Sequence, residues 1–208
     1  MASDLADPSV HAAAASWILA WLVVPLWIAA GFADWLCHRR ADIEHTAGAP
    51  ESLLHLLLFA ELGVPLLAVL LLQVNALVFL LMAIAFVLHE FTALWDVRYA
   101  HARRDVSPLE QHVHSFLELL PLVGILLLAV LHPGQALGLL GLGSEAPRFE
   151  LAWKDPPLPA GYIAGVLIAA VLFSLLPYLE ELVRGTRARG ASPASAPQRA
   201  ASAKPAAR

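Results

Sequence analysis

The chain has 208 residues, 59% of them hydrophobic and only 14% charged, with a mean hydropathy of +0.69. Soluble domains carry nearer a quarter charged residues, so this balance excludes an ordinary soluble domain and points to an integral membrane protein. The formal net charge of −4 is unevenly spread, and the lone Cys37 excludes an internal disulfide framework or a Cys-rich metal site.

The first residues, "MASDLADPSVHAAAA", lack the basic region of a secretory signal, so the first apolar segment reads as a retained helix. Apolar runs long enough to cross a bilayer fall at about 16–36, 53–72, 75–96, 113–132 and 160–182. The second and third are joined only by "QVN", Gln73 to Asn75, which reads as a tight turn. Asp105 reads as the cap of "DVSPLEQ", with Pro108 in the first turn of the fourth helix. Residues 133–159 are a Gly- and Pro-rich loop without a functional signature. The fold class is therefore all-α, a polytopic membrane bundle of about five helices over 1–182, followed by a disordered basic tail over 183–208.

Charge placement predicts an orientation. Arg39 and Arg40 lie in one loop, Arg98, Arg103 and Arg104 in another, and Arg184, Arg187, Arg189, Arg199, Lys204 and Arg208 in the tail. The opposite side holds an acidic N-terminus and a long loop with only Arg148 and Lys154. Basic residues stay cytoplasmic, which puts the N-terminus outside and the C-terminus inside, in a bacterial inner membrane. Trp17 and Trp153 then fall near the outer interface, and Trp35 and Trp95 near the inner one.

Of nine histidines, only His11 and His132 belong to the outer side. His38, His45, His55, His89, His101, His112 and His114 map to cytoplasmic loops or cytoplasmic helix ends. Carboxylates accompany them at helical spacing: Asp34 with His38, Glu51 with His55, His89 with Asp96, and the stripe Glu110, His114, Glu118 in "EQHVHSFLE". Ionisable groups inside a bilayer are costly and face a bundle interior with partners. Four helices carrying such stripes can offset that cost together by surrounding cations, and a mixed imidazole and carboxylate set suits iron, manganese or zinc. The set exceeds the needs of one tetrahedral zinc and is enough for two metal ions.

The expected ligands are His38, His55, His89 and His114, with Glu51, Asp96, Glu110 and Glu118 as carboxylate ligands or bridges. Asp34, His45, His101 and His112 stand as second choices. Glu61, deep in the second span, reads as a protonated group bonded to a neighbouring helix, as a proton relay or as support for the ligands. Asp42 and Glu44 read as partners of Arg39 and Arg40.

"HRRADIEH", "ESLLH", "HEFTALWDVRYAH" and "EQHVH" resemble, in type and placement, the histidine boxes of integral-membrane di-iron oxygenases: fatty-acid desaturases, sterol and fatty-acid hydroxylases, and alkane hydroxylases. That resemblance implies two irons, dioxygen, a membrane lipid as substrate and an external electron donor, since no flavin, Rossmann or Cys-cluster signature is present. "DWLCHRR" followed by "IEHT" and "ESLLH" also resembles short bacterial polytopic membrane proteins. A second resemblance, to membrane zinc hydrolases of the alkaline-ceramidase type, implies one zinc with Ser52, Ser115 and Asp96 in the site. A metal-ion or proton transporter and a bis-histidine haem protein are further readings. Nucleic-acid binding is excluded, because topology already explains the basic residues.

Overall fold

The computed structural model describes residues 7–191. Among these, five helices are long and apolar enough to cross a membrane: Pro8–Arg40, Ala49–Leu71, Ala76–His101, Pro108–Leu131 and Ala160–Gly190. We call them the first to fifth spans. Among the described residues there is no sheet, only an isolated antiparallel bridge between Leu72 and Trp153. The second and fourth spans begin before the apolar stretch does, and the first and third run on past it, because their polar ends remain helical and turn inward; the first span also begins earlier, at Pro8, with an exposed Ala-rich segment. The fifth span continues past 182, so 183–191 are helical where a disordered tail was expected. Residues 192–208 of that tail lie outside the described residues.

Prolines shape the first and fifth spans. Each contains a π-helical turn, Leu19–Val23 and Val171–Leu175, just ahead of Pro25 and Pro177. In the first, Val24 N–H reaches back five residues to the Leu19 carbonyl. Pro25 has no N–H to do the same for Ala20. The Tyr162 hydroxyl donates to that orphaned carbonyl at 3.2 Å, tying the first span to the fifth. Pro65 and Pro121 likewise interrupt the backbone ladders of the second and fourth spans.

The fourth span is capped by Ser107, whose hydroxyl accepts from Glu110 N–H at 3.2 Å, with Pro108 in the first turn. This corrects the assignment of the cap to Asp105. The capping side chain must sit directly before the first helical residue, and Ser107 does.

The 133–159 loop is ordered. It opens with a short helix, Pro133–Leu139, and then runs back along the turn between the second and third spans. Gln73 N–H donates to Ala152 O at 2.9 Å and Lys154 N–H to Leu71 O at 2.9 Å. Asn75 caps the third span through Val78 N–H and donates its amide to Glu150 O at 2.8 Å. "QVN" is thus a turn held by the loop, which satisfies backbone groups that would otherwise lie bare in the membrane. At this end Ala68, Val74, Val78, Phe79, Met82 and Leu128 form an apolar core.

At the opposite end the helices approach closely. A Cβ on Gly185 would lie 2.8 Å from Ala49 N, so only glycine lets the fifth span press against the start of the second. One turn earlier on the fifth span is Glu181, and the same approach delivers it to the site.

Candidate metal centre

All five spans converge on one buried cluster. The first supplies Asp34 and His38, the second Glu51 and His55, the third Asp96, the fourth Glu110 and His114, and the fifth Tyr178 and Glu181. Arg104 enters from the connection between the third and fourth spans. His38, Glu51, Glu110 and Glu181 are almost completely inaccessible.

Glu181 organises the centre. One of its oxygens lies 2.9 Å from His38 Nδ1 and the other 2.8 Å from His55 Nδ1. A carboxylate only accepts, so both imidazoles donate from Nδ1, and in their neutral form both Nε2 atoms keep free lone pairs. The two rings stack at 4.2 Å between centroids, within 11° of parallel. The lone pairs therefore lie side by side and do not converge.

Carboxylates gather around those Nε2 atoms. His38 Nε2 is 3.4 Å from Asp34 Oδ1 and 3.5 Å from Glu110 Oε1. His114 Nε2 is 2.8 Å from the same Asp34 oxygen, out of line for a hydrogen bond. His55 Nε2 is 3.4 Å from Asp96 Oδ2. His38 Nε2, His55 Nε2, Asp34 Oδ1 and Asp96 Oδ1 are all buried without a hydrogen-bond partner. Buried polar atoms are normally bonded. Ligand atoms about 2.0–2.1 Å from a tetrahedral metal lie about 3.3–3.4 Å from each other, close to the spacing of the His38 and His55 contacts, whereas His114 lies nearer to Asp34. Asp34, His38 and His114 form one set with metal-ligand spacing, and His38, Glu51 and His55 another.

Electrostatics point the same way. Asp34, Glu51, Asp96, Glu110 and Glu181 are five carboxylates, and the one permanent cation among them is Arg104. Its guanidinium donates to Glu51 and Glu110 at 2.5 Å each. Burial works against that charge, but the hydrogen bonds to Glu110 and Glu51 outweigh it and hold the Arg104 pKa above the usual arginine value. Four negative charges remain, the number that two divalent cations neutralise.

The expected residues divide. His38, His55, His114, Asp34, Glu51, Asp96 and Glu110 come together. His89 lies deeper, nearly two turns from Asp96, with Nδ1 3.9 Å from Glu61 Oε2. Glu61 itself accepts from the Thr92 hydroxyl at 2.8 Å. Glu118 is two turns beyond Glu110 and lines a cavity instead. His101 and His112 are exposed, and His112 packs edge-on against Phe116. His45 is exposed on Asp42, whose hydrogen bond raises its pKa. Asp42 therefore pairs with His45, Glu44 with Arg184, and Arg39 with Glu180, which corrects the pairing of those acids with Arg39 and Arg40. Ser115 is exposed and donates to Gln111 O, away from the cluster. Ser52 is buried, and its hydroxyl has no partner.

Three members were missed: Glu181, Arg104 and Tyr178. Tyr178 packs on the His55 ring and its hydroxyl lies 3.3 Å from Asp34 Oδ2. The signal for Glu181 was present in "YLEELVR": two adjacent acids one turn after a tyrosine, at the polar end of a span. Glu180 and Glu181 face opposite ways. Glu180 accepts from Trp35 Nε1 at 3.1 Å on the outside.

A cavity of about 490 Å³ opens from the cluster into the bundle. Asp34, His55, Asp96, His114 and Tyr178 form its polar end, and Trp27, Phe59, Leu62 and Leu66 are among its apolar walls. No protein-family model matches the chain, and no curated protein or solved structure matches it. Geometry and chemistry alone carry the functional reading.

Proposed function

We propose that the protein is a membrane-embedded di-metal oxidoreductase that oxidises a hydrophobic substrate, with iron as the metal. The observation that carries this reading is the pair of stacked imidazoles sharing Glu181. Two parallel Nε2 lone pairs suit two cations at the separation of two-metal sites, about 3.5–4 Å. His38, Asp34, His114 and Glu110 would hold one ion, and His55, Asp96 and Glu51 the other. The Glu181 carboxylate fixes both imidazole tautomers, as carboxylates behind metal-binding histidines do. A carboxylate-rich set with few imidazoles favours iron or manganese over zinc. When bound, two irons supply the means to activate dioxygen for hydroxylation or desaturation of an unactivated carbon. Around them this chain's residues exclude water, hold the ligands rigid and present an apolar cavity to the substrate. Electrons come from a separate donor protein. The zinc-hydrolase reading is weaker, since Ser115 faces away from the cluster.

Metal analysis tests this reading on full-length protein purified in detergent without a metal-binding tag. About two irons per chain are expected, and His38→Ala and His55→Ala should each lose metal while remaining folded by circular dichroism. One zinc per chain would turn the reading to hydrolysis. Absence of metal after growth in iron-replete medium would end it.

We also propose that the cluster sits at the cytoplasmic face. Arg39, Arg40, Arg98, Arg103, Arg184, Arg187 and Arg189 all lie at its end of the bundle, against Arg148 and Lys154 at the other. A reporter fused after Arg208 should be active only as a cytoplasmic enzyme. Activity of a periplasmic reporter there would reverse the orientation.

A further inference from the structure

A second cavity, of about 320 Å³, lies at the other end of the bundle. Trp27, Leu62 and Leu66 belong to the walls of both cavities, so the two meet at that constriction. Pro65 and Pro121, where two helical ladders are interrupted, line the second cavity. Its other walls are mostly apolar, with Ser16 and Tyr162 among them, and at the far end the ionisable His132 and Lys154 reach it.

The path between the two ends is long. Lys154 N–H bonds the Leu71 carbonyl, and His55 lies sixteen residues earlier on the same span. At 1.5 Å per residue this is about 24 Å, the scale of an extended long-chain alkyl group. One end has the metal cluster and the other a positive pole. Lys154 is half-buried and makes no ion pair among the described residues. Burial lowers its pKa from the usual lysine value. Burial, with the charges of Lys154 and Arg148, lowers that of His132. A half-buried ammonium without a counter-ion is a site awaiting an anion.

We propose that the two cavities form one binding path for a single-chain anionic lipid, its head group on Lys154 and His132 and its alkyl end at the metal cluster. The apolar walls take the chain, and the pole fixes its direction. Oxidation would then fall far from the head group. That last clause rests on the di-metal reading, whereas the binding itself does not.

The test uses full-length protein in phosphatidylcholine nanodiscs and radiolabelled hexadecanoate. Saturable binding is expected, with hexadecanol bound about tenfold more weakly or worse, since a hydrogen bond to a charged group contributes about 1.5–3 kcal/mol. Lys154→Ala should reduce hexadecanoate binding to the level of the alcohol, and Lys154→Arg should retain it. Leu62→Trp, which fills the constriction, should abolish binding of the chain. Hexadecyl phosphate run in parallel separates a carboxylate head from a phosphate head, and tight binding of either supports the proposal. Equal binding of acid and alcohol, or full affinity in Lys154→Ala, would overturn it. Metal content measured on the same samples keeps the two readings apart: a metal-free protein that still binds hexadecanoate through Lys154 upholds this path and removes the enzyme.

Discussion

Glu181→Gln is expected to leave the protein folded but short of one metal ion per chain. The amide keeps one acceptor oxygen and replaces the other with a donor nitrogen. One imidazole can still donate from Nδ1, while the other must move its proton to Nε2 to accept from the amide. That ring then has no lone pair for a cation. Glu181→Ala goes further. It strands two buried N–H groups, which costs about 1–3 kcal/mol each, and removes the support whose loss typically lowers metal affinity about 10–100-fold. Elemental analysis beside a thermal melt in detergent separates the two variants. If Glu181→Gln retains the wild-type metal content, the shared carboxylate does not set the tautomers, and the di-metal reading loses its main support.

The second large effect is at Arg104. Arg104→Met should destabilise the protein by about 3–5 kcal/mol, because Glu51 and Glu110 would then lie buried without their cation. A shift of about 10 °C in the melting temperature follows for a chain of this size. Arg104→Lys should fall between the two, since an ammonium keeps the charge but not the planar fork that reaches both carboxylates at once. An unchanged melt in Arg104→Met would mean that these carboxylates are held by something other than the guanidinium.

Much of this was legible in the chain itself, for identifiable reasons. Apolar runs of bilayer length are a strong signal, and the five spans came from them directly. The pairs Asp34 with His38, Glu51 with His55 and Glu110 with His114 were readable because four-residue spacing puts both groups on one helix face. Depth along a helix was harder. His89 and Glu118 follow the right face but sit about two turns too far along it. The contribution of the fifth span to the cluster was overlooked for a different reason. Its acids adjoin a run of arginines that topology already explained, so the signal in "YLEELVR" was absorbed into that charged end. Arg104 was hidden in the same way, counted as a topological charge when it is also a buried clamp. The ordering of 133–159 depends on hydrogen bonds to the distant turn at 71–77, a pairing without a local sequence pattern. Which cavities meet at Trp27, Leu62 and Leu66 is likewise a property of packing between helices, not of any one of them.

The position of Glu181 in the fifth span, after the other four, also bears on how the protein is made. Chains leave the ribosome N-terminus first, so Asp34, His38, Glu51, His55, Asp96, Glu110 and His114 reach the bilayer before the residue that binds His38 and His55 together. Until the fifth span inserts and Gly185 lets it close against Ala49, the two imidazoles are free to take either tautomer. The cluster is therefore completed only when the fifth span inserts, and a chain interrupted before then carries the other buried groups without the carboxylate that joins His38 and His55.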